Sequence, residues 1–541
     1  MLTWKFFLVT FGCKVNQYET QALREAWQNL GGEECSSPAG ADVVCVNSCA
    51  ITSKGERDAR NAVFRLRREA PKARLILTGC AARLFAEYKP RPGATWAAPD
   101  LLIAQEHKDV LLQGPWVTPP VGLHSLTPDA GRPAGTSSTG YVSKPAAAIP
   151  VPAPVTEGMA SQPAQPDVFP PFAISTFKRA RPVLKVQDGC AHRCTYCIVP
   201  LTRGRPHSRP LEDIVAEARR LLEAGHVEVM ISGINLGQYG RGSEHLGDFW
   251  NLLRALDAAL APEFAGQARF RISSLEPGQL NERGLDTLLG CALLCPHLHI
   301  SLQHGSQSVL KRMGRGHYSA AMLEKAVTSL STHWPVMGLG ADIIAGFPGE
   351  TEEDVQELLA LIERLPLTYA HVFPYSRRPG TAAERFDKQV PQALKLERAA
   401  RIRQAVAHKQ RAFLEAQLRI PHMLLAADIA DVSNGVEVVD ISSGADISNA
   451  ADVSNAANAA GTALNWAKGV AAKPLKGVNE YYAACFMPRA PQTMNEHARP
   501  SHGRQPRSGL LAVRPVAVTD KGLLVEELPV SKDRTAEALL L

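Results

Sequence analysis

Residues 188–200 read Asp188-Gly189-Cys190-Ala191-His192-Arg193-Cys194-Thr195-Tyr196-Cys197-Ile198-Val199-Pro200. Three thiols fall in a Cys-x3-Cys-x2-Cys spacing within one short loop. Thiolates are soft ligands that suit zinc or iron–sulfur clusters, and a [4Fe–4S] cube normally takes four of them. Three cysteines this close hold three irons and leave the fourth open to a substrate or cofactor. Gly189 allows a tight turn after the apolar run Pro182–Val186, and Pro200 closes the loop, so it belongs at the C-terminal end of a strand. A Cys3His zinc site using His192 or His207 is the competing reading. Structural zinc more usually shows paired Cys-x2-Cys knuckles.

The chain carrying this loop has 541 residues, too many for one ordinary domain, so roughly two to four are expected. Apolar residues make up 45%, which is ample for cores, and the net charge of +6 permits a nucleic-acid partner without arguing for one. The eleven cysteines, an odd number in a long chain, fit metal or catalytic use in a reducing compartment better than a disulfide scaffold. No apolar run reaches the length of about eighteen residues that a membrane span needs. Lys5 followed by Phe6–Cys13 looks superficially like a lipoprotein signal, but the stretch is short and its start is weakly basic. A first strand ending in a functional loop is the better reading, and a cytoplasmic protein with no membrane partner is expected.

Outward from the loop, strands and helices alternate. Residues 4–10 suit a strand, with a helix over Gln17–Leu30. A second strand, Asp42–Asn47, precedes a helix over Lys54–Glu69, and a third strand spans Arg74–Thr78. Short links between them indicate a parallel α/β layer, whose functional loops lie beyond the carboxyl ends of the strands. Cys13, Cys49 and Cys80 each directly follow one of these strands, so they should converge at one rim as a second three-cysteine set. Cys35 and Cys45 read as ordinary small buried residues. Residues 115–174 are rich in Pro, Ala, Ser and Thr and read as a linker.

Beyond the loop, strands are expected at Val227–Ser232, Arg269–Ser274, His297–Leu302, Leu339–Ala345 and Tyr369–Tyr375. With the strand before Gly189 and the helices between them, these make a partial (β/α)6 barrel, whose site gathers at the strands' C-terminal ends. Thr351 is placed to cap the helix Glu352–Leu365, with acidic residues in its first turn. The basic residues of the helix Ala393–Gln417 read as a solvated face. Residues 425–465 form a low-complexity tract with Asp-(Val/Ile)-Ser-Asn repeats, expected as a disordered insertion. Strands at Tyr481–Phe486, Leu510–Val518 and Gly522–Glu527 would then make a small β-domain. Arg489, Arg499, Arg504 and Arg507 lie between these strands as a weak basic patch.

Two three-cysteine sets in this order, with a small C-terminal β-domain, resemble the methylthiotransferases of the radical S-adenosylmethionine (SAM) class. Phe11–Thr20, Asn47-Ser48-Cys49, Thr78-Gly79-Cys80, Ser273–Pro277, His297–Ile300 and Gly346–Thr351 carry the resemblance. The residues after Cys13 resemble the branch acting on N6-threonylcarbamoyladenosine at position 37 of tRNA. The resemblance implies an N-terminal cluster domain (3–114), a radical SAM core (175–418) and a TRAM-like domain (419–541) that binds tRNA. It implies two [4Fe–4S] clusters, one on Cys190, Cys194 and Cys197 that cleaves SAM, and one on Cys13, Cys49 and Cys80 that donates sulfur. By the same resemblance Tyr196, Gly233 and Glu276 lie against SAM, and a flavodoxin- or ferredoxin-type protein supplies electrons. Ser301, His304 and the Gly314-Arg315-Gly316 stretch depart from the usual residues. The alternatives are another substrate in the same class, isopentenyladenosine tRNA or a ribosomal protein, and a non-catalytic zinc-stabilised RNA-binding protein.

Overall fold

The computed structural model describes residues 3–86, 99–117, 169–179, 181–243, 245–428, 475–487 and 510–528. Most of the expected linker, the Asp-(Val/Ile)-Ser-Asn repeats and Arg489, Arg499, Arg504 and Arg507 lie outside the described residues. Among the described residues no helix is long and apolar enough to cross a membrane.

At the N-terminal end, strands β1 (Trp4–Thr10), β2 (Gly32–Glu34), β3 (Val43–Ser48), β4 (Arg74–Gly79) and β5 (Leu101–Leu102) form one parallel sheet. Its order is β2-β1-β3-β4-β5. Every residue of β3 is buried, as in a parallel strand covered on both faces. Helices α1 (Lys14–Asn29) and α2 (Ser53–Glu69) follow β1 and β3. The two edge strands, β2 and β5, are too short to leave a strand-like run in the sequence.

Six parallel strands build the central unit: β6 (Val183–Lys185), β7 (Glu228–Ser232), β8 (Arg269–Ile272), β9 (His297–Gln303), β10 (Gly338–Ala345) and β11 (Tyr369–Pro374). They pair as β6-β7-β8 and β9-β10-β11, and bridges Phe270–Leu294 and Leu275–Ile300 join the two groups. Among the described residues β6 and β11 do not pair with each other, so the barrel is open on one side. The N-terminal unit meets both edges of that opening. The Tyr18 hydroxyl donates to Phe172 O at 2.7 Å and reaches Glu217, in the helix Leu211–Glu223 that follows β6. Just beyond β11, Arg378 pairs with Glu56 at 2.7 Å, and Ser53 N donates to Ser376 Oγ.

Thr351 caps its helix as expected: its side chain accepts from Asp354 N while Asp354 accepts from Thr351 N. On the helix Gln392–Gln417 the basic residues do more than face water. Arg398 pairs with Glu350, Arg401 with Glu352, and Arg403 and Lys409 donate to Val372 O and Glu363 O.

The C-terminal unit is a closed barrel of β12 (Met423–Asp428), β13 (Leu475–Asn479), β14 (Ala484–Met487), β15 (Leu510–Thr519) and β16 (Gly522–Glu527). Two expectations are corrected here. Residues 425–428, assigned to the low-complexity tract, complete β12 by pairing with β13 and β15. The strand expected over Tyr481–Phe486 begins only at Ala484, because residues before it form a turn. Asn479 Oδ1 accepts from Tyr481 N and Ala483 N, and Tyr482 takes φ +67°.

Candidate metal centres

The loop bearing Cys190, Cys194 and Cys197 leaves the carboxyl end of β6 through a short ribbon, Gln187–Asp188 paired with His207–Ser208. Gly189 has φ +70°, and a Cβ there would lie 1.8 Å from Arg205 O, so only glycine fits. Thr195 pins the loop, donating N–H to Met313 O at 3.0 Å and accepting from Ala383 N at 2.8 Å. Cys190 Sγ accepts from Gln238 Nε2 at 3.6 Å and Asn235 Nδ2 at 3.8 Å, and Cys194 Sγ from Arg315 Nη1 at 3.5 Å. Burial pushes the Cys197 thiol up to about 12 and raises Cys190. At Cys194 burial also opposes ionisation, but His192 and Arg315 outweigh it and lower the thiol.

Cys13, Cys49 and Cys80 follow β1, β3 and β4, three adjacent parallel strands, and so come out side by side. Gly12 has φ +91°, and a Cβ there would meet Cys49 Sγ at 2.6 Å. Asn16 Nδ2 ties the loops together by donating to Phe11 O and Ser48 O, both at 2.9 Å. Burial raises the Cys13 thiol and pushes Cys49 up to about 12, and the charges of the neighbouring thiols add to the rise. Without a metal Cys13 and Cys49 stay protonated; a soft cation deprotonates thiols that coordinate it.

The two sets open on one interface. Ile198, next to Cys197, is buried in the same apolar cluster as Cys49 and Cys80. Arg203 Nε donates to Cys80 Sγ at 3.2 Å, and Nη1 of the same guanidinium holds Asp188 at 2.9 Å. Zinc fits neither set. Zn–S bonds of about 2.3 Å bring thiolates to within roughly 3.8 Å of each other in a tetrahedral site. Among the described residues the one trio of ligand atoms lying within 4.8 Å of one another is His299, Asp342 and His371, not three thiols. A four-iron cube spreads its thiolates farther apart, and three cysteines with its fourth iron left open are what each set offers.

Beside the first loop lies a cleft of about 290 Å³ lined by His192, Asn235, Gly237, Glu276, Gln279 and His317 among others. Glu276 is its anion. Burial pulls the carboxyl up, but the His192 hydrogen bond and the Arg315 charge overcome this and hold it near 2. His192 Nδ1 lies 3.1 Å from Glu276 Oε1, Arg315 Nη2 3.2 Å from it and Asn235 Nδ2 3.2 Å.

Residues 184–362 match the Radical SAM superfamily, and residues 5–89 match UPF0004, an uncharacterized protein family. A threonylcarbamoyladenosine tRNA methylthiotransferase MtaB from Aquifex aeolicus is 31% identical over 75% of this chain and 88% of its own length. The enzyme of that name from Thermotoga maritima is 33% identical, over 72% and 79%. A tRNA-2-methylthio-N(6)-dimethylallyladenosine synthase from Burkholderia vietnamiensis is 28% identical, over 73% and 79%. The chain belongs to the radical SAM methylthiotransferases. It is a tRNA-modifying enzyme that transfers a sulfur-containing group, and its family works with [4Fe–4S] clusters and SAM.

In this methylthiotransferase the expected SAM contacts separate. Glu276 lines the cleft, whereas Tyr196 and Gly233 are not among its lining residues. The Tyr196 ring packs edge-on against Phe347, 6.3 Å between centroids. Gly233 makes room for Gln187, whose Cβ would lie 2.9 Å from an added Cβ. Arg315, between two glycines that read as a loss of polar side chains, joins Cys194, Glu276, Tyr318 and Ser301 O. Its only sequence signal was its isolation between Gly314 and Gly316. The barrel interior also holds a polar group from the His297–Ile300 motif: Asp342 Oδ1 lies 3.0 Å from His299 Nε2 and 3.1 Å from His371 Nδ1, and His299 Nδ1 lies 2.9 Å from the Tyr369 hydroxyl.

Proposed function

We propose that the enzyme methylthiolates C2 of N6-threonylcarbamoyladenosine in tRNA, next to the anticodon, using a cluster at each cysteine set. The observation that carries this is the shared interface: Ile198, adjoining one set, packs into the core that holds Cys49 and Cys80 of the other. A substrate atom lying between the two loops would be in reach of both. The Gly12–Gln17 motif and the threonylcarbamoyladenosine relatives at 31% and 33% identity, against 28% for the dimethylallyladenosine enzyme, favour this nucleoside.

When bound, SAM and the clusters supply the one-electron chemistry that breaks an unactivated C–H bond and the sulfur that replaces the hydrogen. The chain's own residues bind and position. Glu276, ionised at any pH well above 2, offers acceptors to the cationic part of SAM, held in place by His192 and Arg315. Asn235 and Gln238 orient Cys190, and Arg315 orients Cys194. In this reading residues 3–114 carry the sulfur-donor site, 175–418 the radical SAM core and 419–541 the tRNA-binding TRAM-like domain. The electron donor is a flavodoxin- or ferredoxin-type protein, and the reaction is cytoplasmic.

Iron analysis of anaerobically purified protein tests the cofactor side: about eight irons in the parent and about four in each of Cys194→Ala and Cys49→Ala are expected. Nucleoside analysis of tRNA from a deletion strain tests the substrate, with loss of the methylthio form of threonylcarbamoyladenosine expected. Loss of methylthiolated isopentenyladenosine instead would overturn the substrate assignment.

A further inference from the structure

A closed box of buried charge stands behind the N-terminal thiols. Lys108 Nζ and Lys185 Nζ contact Glu19 at 2.6 and 2.8 Å, and Lys185 also contacts Asp188 at 2.6 Å. Arg203 Nη1 bridges Glu19 at 3.0 Å and Asp188 at 2.9 Å. Four of these side chains are no more than 1% exposed, and Asp188 is 8% exposed. Lys185 lies over the Phe169 and Phe172 rings, which keep water from it. Three cations thus face two carboxylates, and among the described residues no further carboxylate pairs with any of them.

An uncompensated buried charge is costly, so an excess of one positive charge calls for an anion. Arg203 shows where that anion belongs. Its Nη1 serves both carboxylates and its Nη2 donates to Asn16 Oδ1 at 2.6 Å and to Glu19 Oε2 at 3.4 Å, while Nε, the remaining donor of the fork, points at Cys80 Sγ, 3.2 Å away. A residue that only clamped the two units together would not need that last contact.

We infer that Arg203 is the charge partner of the N-terminal cluster, neutralising the Cys80 thiolate and setting the cluster's reduction potential. This rests on the reading of Cys13, Cys49 and Cys80 as cluster ligands. Hydrogen bonds to sulfur and local net charge are the protein's main levers on such a potential. Reduction adds one electron, and hence one negative charge, to the cluster. A fixed cation in a water-poor site therefore favours the reduced form. Removing the cation shifts the potential downward, and removing a carboxylate from the same box shifts it upward.

The test uses the full-length chain with Cys190, Cys194 and Cys197 changed to Ala, so that only the N-terminal cluster loads. After anaerobic reconstitution, iron is counted and the midpoint potential is read by mediated titration, with the reduced cluster followed by electron paramagnetic resonance. Arg203→Met should shift the potential to more negative values and Arg203→Lys by less, while Glu19→Gln should shift it to more positive values. If the Arg203 variants load no iron, Glu19→Gln decides alone. Potentials unchanged across the variants that load iron overturn the inference and leave Arg203 a clamp. No iron in the parent of the series overturns the cluster assignment itself, and this inference with it.

Discussion

Glu228 Oε1 accepts a hydrogen bond from Arg271 Nε at 2.8 Å, and neither side chain exposes any surface. The second carboxylate oxygen takes Arg269 Nε at 2.7 Å and Arg271 Nη2 at 3.0 Å. What remains of both guanidinia turns to the C-terminal barrel. Arg271 donates to Asn479 O and Glu480 O, and Arg269 to Leu424 O and Val478 O. One carboxylate at the start of β7 thus aims two arginines of β8 at the hairpin between β13 and β14. That hairpin places Tyr482 4.7 Å from His297 and 5.1 Å from Tyr369, so it stoppers the amino end of the central strands.

Glu228→Gln leaves the buried Arg271 without its counter-charge and Arg269 with only Glu480, 3.8 Å away, and breaking such a pair costs about 3–5 kcal/mol. Denaturant unfolding should show that loss. Limited proteolysis should cut near residue 480 sooner than in the parent, since the hairpin is held through these arginines. A variant as stable and as resistant as the parent would mean that Glu228 holds neither arginine in place.

Acid should have the same target. Burial pulls Glu228 upward, but Arg271 and Arg269 hold it well below its ordinary value of 4.5, and His299 and His371 similarly hold Asp342 down against burial. With a depressed native pKa the unfolded chain takes up protons first as pH falls. Stability from these groups is therefore complete above the unfolded carboxylate range and lost as pH drops through about 4.5 toward the native values. The melting-temperature gap between the parent and Glu228→Gln should therefore be constant from about pH 7 to about pH 5 and close below that, the variant falling less steeply than the parent. A parent whose melting temperature does not move on acidification would contradict this.

Much of this was legible because the signals are local. A strand followed by a cysteine announces itself three times in the first eighty residues, after Gly12, Ser48 and Gly79, and alternating strands and helices announce the barrel. The short edges β2 and β5 left no run to read, and β12 was hidden because Leu424–Asp428 merges into an Ala/Asp-rich tract. The turn before β14 depends on the Asn479 side chain and on positive φ at Tyr482, neither of which a run of aromatic residues signals. Buried cations were the largest omission. Lys108, Lys185, Arg203 and Arg315 sit among residues that give no periodic cue, and each has a partner tens to hundreds of positions away.

Gly12→Ala should discriminate between a glycine kept for the turn and one kept for the metal site. The added Cβ would fall 2.6 Å from Cys49 Sγ at φ +91°. Backbone strain of this kind costs about 1–3 kcal/mol, which denaturation would register as a modest loss. The Cys49 thiol must also move, so the variant should hold about four irons rather than about eight, with those of the Cys190 loop retained. Full iron with reduced stability would assign Gly12 to the turn alone.

Arg315→Met should act on SAM rather than on folding of the loop. Thr195 N–H to Met313 O and Ala383 N–H to Thr195 O hold the loop without it, so iron should stay at the parent level. What the variant loses is the contact to Cys194 Sγ and the guanidinium that keeps Glu276 ionised and oriented over the cleft. Partners of this kind typically change affinity or activity by about 10–100-fold. Equilibrium binding of SAM to the iron-loaded protein should weaken by an amount in that range, with Arg315→Lys recovering part of it because charge returns without the fork. If SAM binding is unchanged while iron is lost, Arg315 serves the cluster and not the cleft, and the role given to Glu276 would have to rest on His192 alone.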